Sequence, residues 1–230
     1  MLPATTSVIV VVKVQDSPLR PPQFTRGPHG SFAVVDGACA PTYLEAWLSP
    51  LGAYTLLGTP PGEFGGTFVD LEDLADRRGR RLGDRVRELG TWSERFAAFD
   101  DFLLHRIGAG PAAAPEVRWA WRRLVSSAGA APIGSLARDT GWSHKHLITK
   151  FRQQVGLTPK TAARVLRFEH VWQRLGDGRP ARWDRIAADG GYADQSHLIR
   201  EFREFTGGTP ADFLARSTPA ATLRRGVRND

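Results

Sequence analysis

The sequence lacks several features that define common classes of protein. Among its 230 residues it has one cysteine, Cys39, which excludes an internal disulfide and a cysteine-rich zinc site. Its longest unbroken aliphatic run, from Val8 to Val12, is far below the ~18 apolar residues that a membrane-spanning helix needs. The sequence therefore predicts a reduced, intracellular chain located in the cytoplasm, with no membrane partner.

The patterns of the common enzyme classes are also missing. The chain has no Gly-x-Ser-x-Gly elbow, no phosphate-binding glycine-rich loop and no His-Glu-x-x-His motif. His144 and His146 are two positions apart, and side chains at that spacing do not face each other on a helix, which argues against a zinc site. We therefore predict a protein that is not an enzyme and that holds neither a cofactor nor a metal.

What the chain does have is an uneven distribution of charge. From Pro115 onward it carries 20 Lys and Arg against 11 Asp and Glu, whereas residues 1–114 carry 11 against 13. A basic half beside a slightly acidic half is typical of a protein of which one part meets a polyanion. A surface rich in solvated arginines would give the same count, so charge alone leaves both interpretations open.

The length fits one or two domains, and 7 Trp and 12 Phe are enough apolar material to exclude wholesale disorder. The small, turn-prone residues 108–115 are typical of a linker. Before it, short segments rich in β-branched or aromatic residues predict strands over Val8 to Val14, Ser31 to Val35 and Tyr43 to Trp47. We predict an α+β domain over 1–107, an all-α domain over 116–217 and a basic flexible tail over 218–230.

Helix boundaries are well marked on both sides of this linker. Ser49 and Pro50 supply an N-cap and a first-turn proline for a helix that ends before Gly58, and Thr91 and Glu94 have the spacing of a capping box. After the linker, apolar residues at helical intervals predict helices over Glu116 to Ser127 and Lys160 to Leu175.

The C-terminal half repeats itself at an offset of about fifty residues. The matched pairs, in chain order, are Ala137 with Ala187, Gly141 with Gly191, Trp142 with Tyr192, Leu147 with Leu198, Phe151 with Phe202, Gly156 with Gly207, and Pro159 with Pro210. Each copy has a short helix, a glycine turn and a second helix, which is the pattern of a helix-turn-helix. Ser143 and Asp194 are suitable N-caps for the second helices.

These residues resemble a known family. The run from Ile186 to Leu198, followed by Phe202 and residues 207–210, is similar to the C-terminal signature of the AraC/XylS family of bacterial transcription regulators. The first copy, with residues 165–167, resembles that family's first helix-turn-helix and connecting helix. The resemblance implies two helix-turn-helix units joined by a long helix, which place recognition helices in successive major grooves of DNA. It also implies that the domain over 1–107 is a sensor or interaction domain, which senses a ligand or mediates dimerisation. Residues 48–58 and 69–74 resemble the sensor-like region of uncharacterised actinobacterial members, which identifies no ligand.

If the family geometry holds, two sets of side chains contact DNA. The residues predicted to read bases are Lys145, Ile148, Thr149, Gln195, Ser196, His197 and Arg200. Those predicted to contact phosphate are His144, Lys150, Arg152, Lys160 and Arg203. Arg200 is the strongest candidate reader, because a guanidinium pairs with guanine through two hydrogen bonds. Ile148 and Thr149 offer apolar contact instead, so we expect the second helix to supply more of the hydrogen-bonded specificity.

Double-stranded DNA is thus the predicted partner, and RNA polymerase, a small-molecule effector and a second copy of the chain are further candidates. Two other functions stay open on the sequence. One is a regulator whose N-terminal domain is an enzyme of the methyl-acceptor kind, which would need an activated Cys39. The other is an architectural protein that binds DNA without selecting a sequence.

Overall fold

The computed structural model describes residues 2–15, 21–34, 42–74, 77–175 and 183–216. Within them an antiparallel sheet comes first and a run of helices follows. The strands are β1 (Val8–Lys13), β2 (Gln23–Arg26), β3 (Tyr43–Leu48) and β4 (Phe68–Asp70), in the sheet order β3-β1-β2-β4. Cys39, the tail 218–230 and Gly176, the predicted stop of the long helix, lie outside the described residues.

Six helices accompany the sheet and seven follow it in the described part of the chain. The first six are α1 (Pro50–Leu57), α2 (Pro61–Phe64), α3 (Leu71–Leu74), α4 (Arg77–Arg80), α5 (Leu82–Glu88) and α6 (Trp92–Ala109). The others are α7 (Pro115–Ser126), α8 (Ile133–Asp139), α9 (His144–Val155), α10 (Pro159–Leu175), α11 (Trp183–Asp189), α12 (Gln195–Thr206) and α13 (Pro210–Arg216). No helix of the described ranges is both long and apolar enough to cross a bilayer.

The predicted fold class is confirmed: an α+β part precedes an all-α part with two helix-turn-helix units joined by a long helix, α10. The predicted caps are confirmed as well. The Ser49 side chain accepts a hydrogen bond from the backbone N–H of Gly52, and Thr91 and Glu94 form the complete capping box of α6.

One strand prediction was wrong. Over Ser31 to Val35 the described residues form no strand, and Ala33 makes only an isolated bridge with Leu2. The second strand is instead Gln23–Arg26, which the sequence analysis missed because most of its side chains are polar. These residues are buried nonetheless, because the Gln23 amide donates to the Gly79 carbonyl at 2.8 Å and the Thr25 hydroxyl donates to the Ile9 carbonyl at 2.8 Å.

Three apolar cores hold the chain together. The first lies between one face of the sheet, with Val10, and helices α1, α5 and α6. The second surrounds Phe151 in the first helix-turn-helix unit, and the third surrounds Phe202 in the second unit. Ala4, near the start of the chain, is 2% exposed and belongs to the third core. The N-terminal and C-terminal parts therefore pack against each other.

The residues predicted to form a linker are also well packed. Helix α6 extends to Ala109 and α7 begins at Pro115, so only residues 110–114 are non-helical. Ala113 is buried, and the Ala114 N–H donates to the Gln154 side chain of α9 at 2.9 Å. This connection is therefore anchored to the first helix-turn-helix unit.

Candidate nucleic-acid interface

The two helix-turn-helix units have the same turn. Gly141 and Gly191 have φ values of +70° and +72°, in the left-handed region that favours glycine. In each unit the next residue donates a backbone hydrogen bond to the alanine carbonyl of the first helix, Trp142 to Ala137 at 3.1 Å and Tyr192 to Ala187 at 2.9 Å. The sequence repeat is thus a structural repeat, which sets α9 and α12 as equivalent second helices.

Helix α9 begins with a side-chain cap and turns one polar face outward. The Ser143 hydroxyl accepts from the His146 N–H at 3.2 Å. Lys145 and Thr149, four residues apart, are exposed on one side of the helix, and Ile148 beside them is half-buried. The Thr149 hydroxyl donates to the Lys145 carbonyl at 3.0 Å, so its methyl group is the part left for an apolar contact.

Helix α12 begins in the same way. The Asp194 carboxylate accepts from the His197 N–H at 2.7 Å. Ser196 and Arg200, four residues apart, are exposed on the outward face, whereas His197 is half-buried at its edge. Gln195 is exposed in the first turn. Among the predicted readers of this helix, Arg200 therefore has both the exposure and the reach for a base.

The predicted phosphate contacts are spread around these faces. His144, Arg152, Lys160 and Arg203 are exposed. Arg152 and Arg203 are equivalent in the repeat, and each is in the last turn of its helix. Lys150 is half-buried, and it is rotated by about 140° from Lys145 at 100° per residue. It therefore lies at the side of α9, away from the face of the predicted readers.

A buried charged network that the sequence analysis missed lies behind α12. Glu201 is 3% exposed; its carboxylate accepts from Arg164 Nε at 2.9 Å and from the Tyr192 hydroxyl at 3.2 Å. Arg164, on α10, also donates to both carboxylate oxygens of Glu204, at 3.1 Å and 2.6 Å. The hydrogen bonds that Arg164 donates to Glu204 raise the pKa of Arg164, and burial together with the nearby Glu201 charge raises the pKa of Tyr192. The network fixes α12 against α10 and the turn.

The first unit has no such carboxylate, because Lys150 takes the place of Glu201 in the repeat. Both units nevertheless pair a histidine of the second helix with the aromatic residue of the turn. The ring centroids of Trp142 and His146 are 4.5 Å apart and those of Tyr192 and His197 are 5.3 Å apart, edge to face in both cases. His146 and His197 are thus oriented by their turns. No three possible ligand side chains in the described ranges come together as a metal site.

The N-terminal part contacts both second helices at their C-terminal ends. A side chain at Gly62 of α2 would lie 2.8 Å from the Arg152 carbonyl, so only glycine allows this approach to α9. On α12, the Phe205 carbonyl accepts from the Ala4 N–H at 2.8 Å. The exposed N-terminal turns of both helices point away from these contacts, as recognition helices require to enter a groove.

Comparisons with known proteins agree with this arrangement. Residues 136–216 match the family described as a helix-turn-helix domain. The chain is also similar in structure to ToxT from Vibrio cholerae: the P21 form has a TM-score of 0.50 at 10% identity, covering 93% of this chain and 91% of that one. The structure of ToxT from strain O395 has a TM-score of 0.46 at 11% identity, covering 95% and 92%. No curated protein sequence matched.

Two helix-turn-helix units of one design, joined by a single helix, define a DNA-binding protein. The matched residues form a helix-turn-helix domain of the AraC type, which confirms the family resemblance seen in the sequence. The chain is accordingly a DNA-binding transcription regulator. The likeness to ToxT extends over the N-terminal part and, at this identity, concerns the fold alone.

Proposed function

We propose that this regulator reads a specific DNA sequence by placing α9 and α12 in two successive major grooves. The observation that carries the proposal is the pair of equivalent, outward-facing second helices on one connecting helix. Helix α10 has 17 residues and spans about 25 Å. That span, with the width of a unit at each end, is comparable to the ~34 Å of one turn of DNA.

In this arrangement the side chains have two roles. Lys145, Ile148 and Thr149 in one groove contact base edges. In the other groove, Gln195, Ser196, His197 and Arg200 do so. The cations His144, Lys150, Arg152, Lys160 and Arg203 contact phosphates, which set affinity and register. The net positive charge of the C-terminal half favours such contacts, and we expect affinity to fall steeply as salt rises.

The test is a binding-site selection from a random oligonucleotide pool with the full chain. We expect a bipartite site whose halves are about one helical turn apart. Arg200→Ala should relax the preference at one base position of one half-site, at a cost of about 1–3 kcal/mol for the preferred base. Lys150→Ala should weaken binding to all sequences alike. Arg85→Ala, an exposed arginine on α5, is the matched control and should change neither.

Three outcomes would contradict this proposal. An unenriched pool would indicate an architectural protein that does not select sequence. A footprint confined to one half-site would exclude reading by both helices. Identical selection profiles for Arg200→Ala and Lys150→Ala would show that the division into readers and phosphate contacts is wrong.

We further propose that the part before α7 is a sensor or interaction domain and that the chain acts by binding, not by catalysis. Its contacts with the C-terminal ends of both second helices support control of DNA binding by a small-molecule effector. A regulator bound to DNA would meet RNA polymerase, which we propose as a partner, and would be located at the nucleoid of the bacterial cytoplasm.

Mass spectrometry after exposure to methylated DNA tests the enzymatic alternative, which a methyl group on Cys39 would favour.

A second copy of the chain is a further proposed partner. Helix α6 exposes the large apolar side chains Trp92, Phe96 and Ile107, which recur at intervals that place them on one side of the helix. Exposed apolar patches of this kind mark interaction surfaces. Sedimentation of the full chain, compared with Phe96→Glu, tests whether this side of α6 holds a homodimer.

A further inference from the structure

Arg167 lies where the two helix-turn-helix units meet. It is at the midpoint of the connecting helix α10, which runs from Pro159 to Leu175. A Cβ added at Gly129, in the turn before α8, would lie 3.1 Å from the Arg167 Cγ, and one added at Gly191, in the turn of the second unit, would lie 3.7 Å from its Cδ. The aliphatic stem of Arg167 is therefore enclosed by both units.

The guanidinium of Arg167 has no anionic partner among the described residues. Its Nε is buried and forms no hydrogen bond, and its Cζ lies 5.7 Å from the centroid of the Tyr192 ring. The other two arginines of α10, Arg164 and Arg174, are each paired with carboxylates. A buried donor without a partner is uncommon in a folded protein and calls for an explanation. Here packing holds a charge in place that no described carboxylate neutralises.

The direction of Arg167 follows from its neighbour on the helix. Glu169, two residues later and so about 200° around α10, accepts from the Thr5 hydroxyl at 2.9 Å and the Thr6 N–H at 2.8 Å, both in the N-terminal part. Arg167 therefore lies on the side of α10 away from that part. The N-terminal turns of α9 and α12 also point away from it, because the N-terminal part contacts the opposite ends of these helices.

In the proposed complex this side of α10 faces the DNA. Helices α9 and α12 enter major grooves about 34 Å apart, and the minor groove between them is bordered by phosphates of both strands. Arg167 is about 12 Å from each end of α10, which places it level with that minor groove. Because its guanidinium is held at the Tyr192 ring, it is placed for a phosphate at the rim and not for bases at a depth of ~7.5 Å.

We propose that Arg167 binds a phosphate of the DNA backbone beside the minor groove midway between the two half-sites. The inference rests on the proposed function for this position, and it adds a contact that belongs to neither recognition helix. The terminal nitrogens of a guanidinium match a phosphate through two parallel hydrogen bonds. Since the stem of Arg167 is already packed, little conformational freedom is left to lose on binding. The contact would fix the spacing of the two half-sites, because both units enclose the same side chain.

The first test is the salt dependence of DNA binding by the full chain, measured on the selected site and on an unselected duplex. Loss of one phosphate contact lowers the slope of log K against log salt by about 0.9. Arg167→Met and Arg167→Gln should both show this decrease, whereas Arg167→Lys keeps the charge and should retain the slope. Arg85→Gln removes the same charge from an exposed position on α5 and should leave the slope unchanged.

The methionine variant also separates binding from folding. Arg167→Met keeps the apolar stem between the two glycines and removes the buried Nε that has no partner. Its urea midpoint should therefore be no lower than that of the unmodified chain, so weaker DNA binding cannot be ascribed to unfolding.

The second test locates the contact with neutral methylphosphonate groups placed one at a time in the selected DNA site. A substitution beside the central minor groove should weaken binding of the unmodified chain by about tenfold, as expected when one hydrogen bond between charged groups is lost. In Arg167→Met the same substitution should have no further effect, because the partner is already missing. Arg203→Gln is the control: its proposed phosphate lies elsewhere, so the central substitution should still weaken its binding by about tenfold.

Each outcome separates this contact from the proposed function. An unchanged salt slope in Arg167→Met and Arg167→Gln would overturn the contact while reading by two helices stands. So would a central methylphosphonate that weakens Arg167→Met and the unmodified chain equally. A selected site with one half only would refute both the proposed function and the central position of Arg167. The salt slope on the unselected duplex would then still decide whether Arg167 binds a phosphate.

Discussion

Replacement of Glu201 tests whether the buried network behind α12 stabilises the second helix-turn-helix unit. Glu201→Gln keeps the volume and one acceptor but removes the charge that faces Arg164. A hydrogen bond to a charged partner contributes about 1.5–3 kcal/mol and a neutral one about 0.5–1.5 kcal/mol. We therefore expect a loss of about 1–2 kcal/mol in the free energy of unfolding. Glu201→Ala also leaves the buried Tyr192 hydroxyl without its acceptor and should cost about 3 kcal/mol. This loss of about 3 kcal/mol is at the low end of the cost of breaking a buried ion pair, because Arg164 keeps its ion pair with Glu204 and its side chain is 29% exposed.

Urea unfolding monitored by tryptophan fluorescence gives these values. The matched control is Glu204→Gln: its side chain is 50% exposed, so the lost ion pair should cost less than about 1 kcal/mol. A double-mutant cycle of Glu201→Gln with Tyr192→Phe should show a coupling of about 1 kcal/mol, since the two groups share a hydrogen bond. If Glu201→Gln were as stable as Glu204→Gln and the coupling were zero, the carboxylate would not hold the unit together and the reasoning from its burial would be refuted.

Two further predictions concern pH and backbone conformation. Because burial lowers the pKa of His29 to about 4 in the folded chain, its contribution to stability is complete above the unfolded pKa of about 6.5 and is lost as pH drops toward 4. Between pH 7 and pH 5 the free energy of unfolding of the unmodified chain should therefore fall by about 2 kcal/mol more than that of His29→Gln, as measured by parallel urea titrations. Equal losses would show that His29 titrates normally. Gly141→Ala should lower the free energy of unfolding by about 1 kcal/mol. This cost comes from the positive φ alone, because the added Cβ would have no atom within 4 Å. Gly156→Ala should cost clearly more, because its Cβ would also lie 2.7 Å from Pro28; thermal melts that rank the two alanines equally would contradict this contact.

The helices were predictable because their signals are local. The Thr91 capping box, the Ser143 and Asp194 caps and the glycine turns depend on residues within four positions of one another, and each is in the structure as the sequence indicated. Strand β2 was not predictable in this way. Its Gln23 and Thr25 are buried only because partners elsewhere in the chain satisfy them, and no neighbouring residue signals those partners.

The same distinction separates the parts of the candidate interface. The outward position of Arg200 follows from a helical repeat and one buried leucine, Leu198, and could be read from the sequence. The burial of Glu201 could not, since it depends on Arg164, 37 residues earlier on another helix. One signal was present in the repeat: an acidic residue at 201 stands where the first copy has Lys150, which marks a position where the two units differ in chemistry.

The hydrogen bond from Ala4 to Phe205 has a consequence for the order in which the chain is completed during synthesis. Its two residues are about 200 positions apart, and at roughly 5–20 residues per second the ribosome needs about 10–40 s to make that length. Throughout that time the first residues have neither Phe205 nor the third core to pack against. The segment around Ala4 therefore makes these contacts only after the second helix-turn-helix unit has left the ribosome, so the sheet part and α12 are joined late in synthesis.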